Sequence, residues 1–322
     1  MSTIEKAASR LAARPTSNGS SRPPLVDRAQ DLGTLTRTAG TEHVASRDGG
    51  APSPAFAGAR FCEIDLHKIR ARGFLLPDSG RTQLAHEMRR IKRPLLLNVQ
   101  KAQALAGTDG APRNPANLIM ITSALPGEGK TFTAINLAMS MAAEVDRRVL
   151  LVDADVARGD VSRQLGIPPQ RGLSDLLQET GHLYEDAVLT SNIERLSILP
   201  AGSSTDHVDE LFASEMMQLV VRSLAEADPQ RVVIFDASPL LATTEAAVLA
   251  RQMGQTVVVV EAGRTPQDAV AQAIDQLDGC ENVSLVLNKT TGKDTGGYGY
   301  GYGYGYGSDG SGERDVKSAP AG

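Results

Sequence analysis

The sequence predicts an α/β fold with a doubly wound, mostly parallel sheet. Three observations carry that reading. Apolar runs of strand length alternate with helical stretches from residue 118 to residue 288. Runs such as Val149-Leu150-Leu151-Val152 and Val257-Val258-Val259-Val260 are apolar without alternation, as in strands buried on both faces. Ala124-Leu125-Pro126-Gly127-Glu128-Gly129-Lys130-Thr131 joins one such run to a helical stretch through a glycine-bearing turn, the arrangement that cradles phosphates.

Taken in order, the spacing predicts strands over 118–123, 148–153, 195–199, 231–236, 256–261 and 283–288. Helices are expected over 131–145, 208–227, 243–252 and 266–278, with short ones near 160–180. Thr265-Pro266-Gln267-Asp268 reads as a helix start, with Thr265 as capping residue, Pro at the first position and an acid at the third. Upstream, Gln83 to Arg93 reads as one helix stopped by Pro94, with Leu84, Met88 and Ile91 as its buried stripe. The stretch 102–116 reads as a loop. Residues 1–60, low in aromatic and β-branched side chains and broken by five prolines, are expected to be disordered. The organisation expected is therefore a disordered segment (1–60), a helical attachment and oligomerisation segment (61–116), a nucleotide-binding domain (117–290) and a flexible tail (291–322).

The turn carries the first piece of chemistry. Gly127 and Gly129 permit the close backbone approach that a Cβ would obstruct. Backbone from Pro126 through Gly127, Glu128 and Gly129 to Lys130, Thr131 and Phe132 would surround the phosphates. Lys130 reaches β- and γ-oxygens, and the Thr131 hydroxyl takes a Mg2+ position. A nucleoside triphosphate, ATP, is the expected ligand, with Mg2+ as its companion.

Two strand ends supply acids. Asp153 and Asp155 follow Leu150-Leu151-Val152, and Asp236 follows Val232-Val233-Ile234-Phe235. In an open parallel sheet, ligands lie at the carboxyl ends of strands. Asp236 is the natural organiser of Mg2+. Asp153 and Asp155 would assist the metal or take a proton from an attacking hydroxyl, and spacing does not choose between them.

Composition excludes several classes. A net charge of −5 over 322 residues leaves no nucleic-acid footprint. Two cysteines, Cys62 and Cys280, make neither a disulfide framework nor a zinc pattern and fit a reducing cytosol. No apolar run reaches membrane-spanning length, and the longest candidate, 232–250, contains Asp236 and Glu245. No apolar signal segment opens the chain, so any work at a membrane is expected to need a partner.

Five of the six tyrosines, Tyr298, Tyr300, Tyr302, Tyr304 and Tyr306, alternate with glycine near the end of the chain. A packed core would not place phenols there, and a spacer needs none. From Asn288 to Tyr306 the extended chain would reach roughly 60 Å, enough to enter a neighbouring subunit's site. A nucleotide site joined to a mobile row of phenols suggests a kinase and its own substrate. Full phosphorylation would add roughly −7 to −10 charges and loosen an assembly by repulsion.

On these residues the sequence resembles the bacterial tyrosine kinases, P-loop autokinases of polysaccharide export, and most of all the exosortase-associated tyrosine autokinases. Ile119 to Thr131, with its Pro-Gly-Glu-Gly-Lys core, is similar to that family's Walker A form. Asp153-Ala154-Asp155 resembles its additional Walker motif, and Asp236-Ala237-Ser238-Pro239 its Walker B form. Arg158 falls one position later than the family's arginine, so no role passes to it. Glu87, Arg90 and Arg93 share one helix face and on spacing alone read as a solvated surface. The resemblance instead implies the Glu-x-x-Arg-x-x-Arg helix of ring-like self-association. It further implies a protein-tyrosine autokinase placed in the cytoplasm and recruited to the inner face of the cell membrane. The recruiting partner would be a separate membrane polysaccharide co-polymerase, or chain-length regulator, and a tyrosine phosphatase would oppose the kinase. A ParA/MinD-like regulatory ATPase shares the sheet, acids and phosphate turn. Leu125 stands where those ATPases resemble one another in a lysine that crosses the dimer, and they have no use for a phenol tail.

Overall fold

A computed structural model describes residues 60–108, 110–179 and 184–290. The expected tyrosine acceptors and the segment 1–59 lie outside the described residues. Eight strands form one sheet: β1 (Arg60–Cys62), β2 (Leu118–Ser123), β3 (Arg148–Ala154), β4 (Leu189–Ser191), β5 (Leu196–Leu199), β6 (Arg231–Ala237), β7 (Gln255–Glu261) and β8 (Val283–Asn288). Their order is β1-β4-β5-β3-β6-β2-β7-β8, and every neighbouring pair is parallel except β4–β5.

Nine α-helices flank the described sheet: α1 (Leu66–Ala71), α2 (Gln83–Ala104), α3 (Lys130–Ala142), α4 (Asp160–Leu165), α5 (Leu173–Gln178), α6 (Val208–Ala213), α7 (Glu215–Glu226), α8 (Glu245–Ala250) and α9 (Gln267–Gln276). Successive residues of a strand point to opposite faces, and two cores result. Met120, Val152, Phe235 and Val258 face α5 to α9, whereas Ile121, Leu151, Ile234 and Val257 face α2, α3 and α4. Helices on both faces explain why the central strands carry no polar alternation. Asn136 of α3 ties the upstream segment to this core by accepting from the Leu75 N–H at 2.7 Å.

Several expectations need correction. Pro94 does not stop α2, which continues to Ala104 and so shortens the expected loop. Its buried positions Ala85, Met88, Lys92, Leu95 and Val99 run straight through the proline. Burial of that continuous stripe offsets a proline cost of roughly 3 kcal/mol. Leu84 and Ile91, expected to be buried, are only half-buried. The helix expected over 208–227 is two, because the Ser214 hydroxyl starts α7 by accepting from the Met217 N–H at 3.2 Å. Two strands of three residues each, β1 and β4, join the sheet beyond those expected, and Arg60, expected at the end of the disordered segment, starts β1. Thr265 does not cap α9, whose N-cap is Pro266; its hydroxyl donates to the Glu128 carboxylate instead.

Candidate nucleotide and phosphoryl-transfer site

The site is assembled by the sheet's register. β3 and β6 are parallel neighbours with Asp153 opposite Asp236, and β6 also pairs with β2, which ends in the phosphate turn. Three chain segments far apart in sequence therefore end side by side. The Thr122 hydroxyl locks the end of β2 to β6 by donating to Ser238 O at 2.7 Å.

Within the turn Gly127 has φ of 87° and Gly129 of 96°, the left-handed region that glycine adopts without strain. Gly129 leads directly into α3, whose N-terminus carries the partial positive charge of the helix. Glu128 does not face the phosphate side. Its carboxylate accepts from Leu125 N at 2.6 Å and from the Thr265 hydroxyl, so it braces the turn from behind. Sequence spacing had no signal for that bond, because Thr265 lies at the far end of β7. Pro126 and Phe132 sit in the turn and in the first helical turn, with Phe132 packed against Phe74 at 5.1 Å between ring centroids.

Lys130 and Thr131 are buried, as are Asp153, Asp155 and Asp236. Lys130 Nζ lies 2.6 Å from Asp155 Oδ2, 3.7 Å from Asp236 Oδ1 and 3.3 Å from the Thr131 hydroxyl. Asp155 also accepts from the Ser238 hydroxyl at 3.2 Å, and Asp153 Oδ2 from the Val161 N–H at 3.0 Å. Asp153 Oδ1 and both Asp236 oxygens are buried without a hydrogen-bond donor.

These carboxylates repel one another in a site that water barely reaches. Burial first, then the charge of Asp236, raises the Asp153 pKa well above the usual carboxylate range. Burial pushes Asp236 up to about 6, against the pull of the Lys130 charge. Burial opposes the charge on Lys130, but Asp236 and Asp155 overcome it and hold the lysine above its ordinary value. Asp160 at the start of α4 adds to this field and was missed by the sequence reading. Its one sequence signal was the Gly159-Asp160 step after Asp153-Ala154-Asp155.

No group of three or more acidic, histidine or cysteine side chains forms a metal cage among the described residues. Orphaned oxygens on two buried carboxylates beside a threonine hydroxyl suit Mg2+, which is held by one or two carboxylates together with substrate phosphates. Glu87, Arg90 and Arg93 are exposed on α2. Glu87 accepts from Gln83 Nε2 at 2.8 Å. Arg158 is exposed.

The parallel sheet, the phosphate turn at a helix N-terminus and the acidic strand ends define a P-loop nucleotide-binding protein. An AAA domain family model matches residues 116–284. The chain is 35% identical over 168 residues to tyrosine-protein kinase YwqD of Bacillus subtilis (strain 168), covering 52% of this chain and 69% of that one. It belongs to the bacterial tyrosine-protein kinases. It is 32% identical over 183 residues to tyrosine-protein kinase wzc of Salmonella typhimurium, but spans only 25% of that protein. A match of 30% identity over 201 residues to the succinoglycan biosynthesis transport protein ExoP of Rhizobium meliloti covers 61% of this chain and 24% of that one. Among solved structures, the BceF tyrosine kinase domain superposes with a TM-score of 0.51 at 29% identity, covering 62% of this chain and 76% of that one. The kinase domain of Escherichia coli ETK shares the fold, with a TM-score of 0.56, 23% identity and coverage of 81% and 88%.

Proposed function

We propose that this chain is an autokinase that moves the γ-phosphoryl group of ATP onto Tyr298, Tyr300, Tyr302, Tyr304 and Tyr306, mainly between subunits. The observation that carries the reading is Lys130 set among three buried carboxylates at the end of a phosphate turn. The turn amides and Lys130 hold the phosphates, Lys130 exchanging its Asp155 contact for phosphate oxygens. Thr131, Asp236 and Asp153 would hold Mg2+, which when bound neutralises charge on the phosphate oxygens. Asp155, released from Lys130, accepts the phenol proton while the phenolate oxygen bonds to phosphorus and the bond to ADP breaks. Ser238 keeps Asp155 oriented for that step.

The exposed triplet Glu87, Arg90 and Arg93 serves ring-like self-association, which brings one subunit's tail to the next subunit's site. A separate membrane co-polymerase recruits the kinase to the inner face of the membrane, where tail charge regulates polysaccharide chain length and export. A tyrosine phosphatase resets it. No helix among the described residues is long and apolar enough to cross a membrane. The ExoP match supports the polysaccharide setting.

The test is to incubate purified chain with ATP and Mg2+ and map phosphate by mass spectrometry. Phosphate on the tail tyrosines is expected, together with modification of Lys130→Met chains by added wild type. ATP hydrolysis with an unmodified tail, even with an activating membrane-partner fragment present, would replace the kinase with a regulatory ATPase.

A further inference from the structure

The residues that leave the last strand reach back to the phosphate turn. Asn288 ends β8, and its Nδ2 donates to Glu128 O at 2.8 Å. Lys289 follows with φ of 56°, a conformation that a non-glycine residue keeps only where its surroundings hold it. Its Nζ donates to Gly127 O at 2.7 Å and to Glu261 Oε2 at 3.0 Å. Asn288 lies so close to the turn that a Cβ on Gly129 would stand 2.2 Å from its Nδ2.

These bonds control which way the turn's peptides face. In a trans peptide the carbonyl and the following N–H point in opposite directions, and the described chain has no cis peptide. A donor on Gly127 O therefore directs the Glu128 N–H to the other side of the turn. The donor on Glu128 O does the same for the Gly129 N–H. Two successive amides are thereby preset in one direction, as phosphate binding by a glycine-rich turn requires. The assembly is braced as well, since Glu261 pairs with Asn288 across β7 and β8 and its N–H approaches Glu128 Oε1 at 3.4 Å.

We propose that Lys289, together with Asn288, is a positioning residue that presets the phosphate turn by grasping its carbonyls from behind. The inference rests on nucleotide binding at the turn and not on where the phosphoryl group goes. Lys289 acts through the Gly127 peptide without touching the nucleotide.

The experiment uses the full chain and a fluorescent ADP analogue with Mg2+, alongside hydrogen exchange of the amides over 125–131. Lys289→Met should weaken nucleotide binding about threefold to tenfold, the range for a half-exposed charged donor. Exchange over 125–131 should accelerate while β3 and β6 stay protected. Lys289→Arg should restore most of the affinity, and Glu261→Gln should fall between. Unchanged affinity and exchange in Lys289→Met would overturn the inference, as would faster exchange spread evenly over the sheet. Lys130→Met is the control. If it loses binding and Lys289→Met does not, only the clamp fails; if it binds like wild type, the nucleotide site itself is wrongly placed.

Discussion

The carboxyl ends of β3 and β6 and the outer face of α2 both gather charge, and they handle it in opposite ways. At the strand ends three aspartates and a lysine are withdrawn from water, and Asp153 Oδ1 and both Asp236 oxygens have no hydrogen-bond donor. On α2, Glu87, Arg90 and Arg93 stay solvated at little cost to the fold. The first arrangement works against the protein's own stability, and the proposed cation and phosphates would relieve it. The second leaves stability untouched, and the proposed self-association would be its use.

Substitutions at the two places should therefore separate function from stability in different directions. The largest effect is expected at Lys130, where Lys130→Met should lower phosphoryl transfer by about 100-fold or more, since it removes a charge aimed at the transferring group. A steady-state assay with ATP and Mg2+ measures this. Retention of a tenth of wild-type transfer would remove the lysine from the mechanism.

Asp236→Asn should break the link between activity and stability. A buried carboxyl whose pKa is raised to about 6 is penalised in the folded state once it ionises. The penalty is absent below about 4, grows between about 4 and 6 and is full above that, so at pH 7 the native aspartate destabilises the fold. Lys130 keeps Asp155 as its partner at 2.6 Å in the variant. Removing the charge should raise stability by about 1–2 kcal/mol, a few degrees in Tm without nucleotide or Mg2+, while transfer falls by about 100-fold. A lower Tm would show that the strand-end acids are structural.

A smaller effect is expected from pH. The strand-end acids must be ionised to work, so kcat/KM should fall as pH drops below about 6, following the ionisation of Asp236 in the free enzyme. A profile flat down to pH 4.5 would contradict this. Least visible in the isolated subunit are Arg90→Ala and Arg93→Ala, which should shift subunit stability by under about 0.5 kcal/mol. The same variants should move the sedimenting species toward monomer and slow phosphorylation between chains. Unchanged sedimentation would return α2 to being an ordinary wet face.

Much of this was readable locally. The phosphate turn is contiguous, and strands buried on both faces show it in their composition. An aspartate closing an apolar strand reports its own position in a parallel sheet, which is why Asp153 and Asp236 were found without coordinates. Strands of three residues, β1 and β4, are too short to display a period, and the turn-forming residues around them outweigh it. Pro94 misled for a related reason. Its local cost is real, but a stripe of buried side chains on either side of it decides the outcome.

What no local pattern contained was the placing of segments against one another. Asp153 stands opposite Asp236 because β3 pairs with β6 in one register. Thr265 finds Glu128, and Lys289 finds Gly127, because β7 and β8 lie beyond β2 at the same end of the sheet. Residue type and spacing carry the chemistry that each segment brings. Distances between segments so far apart in sequence arise only when burial of the two cores fixes the order and register of the strands.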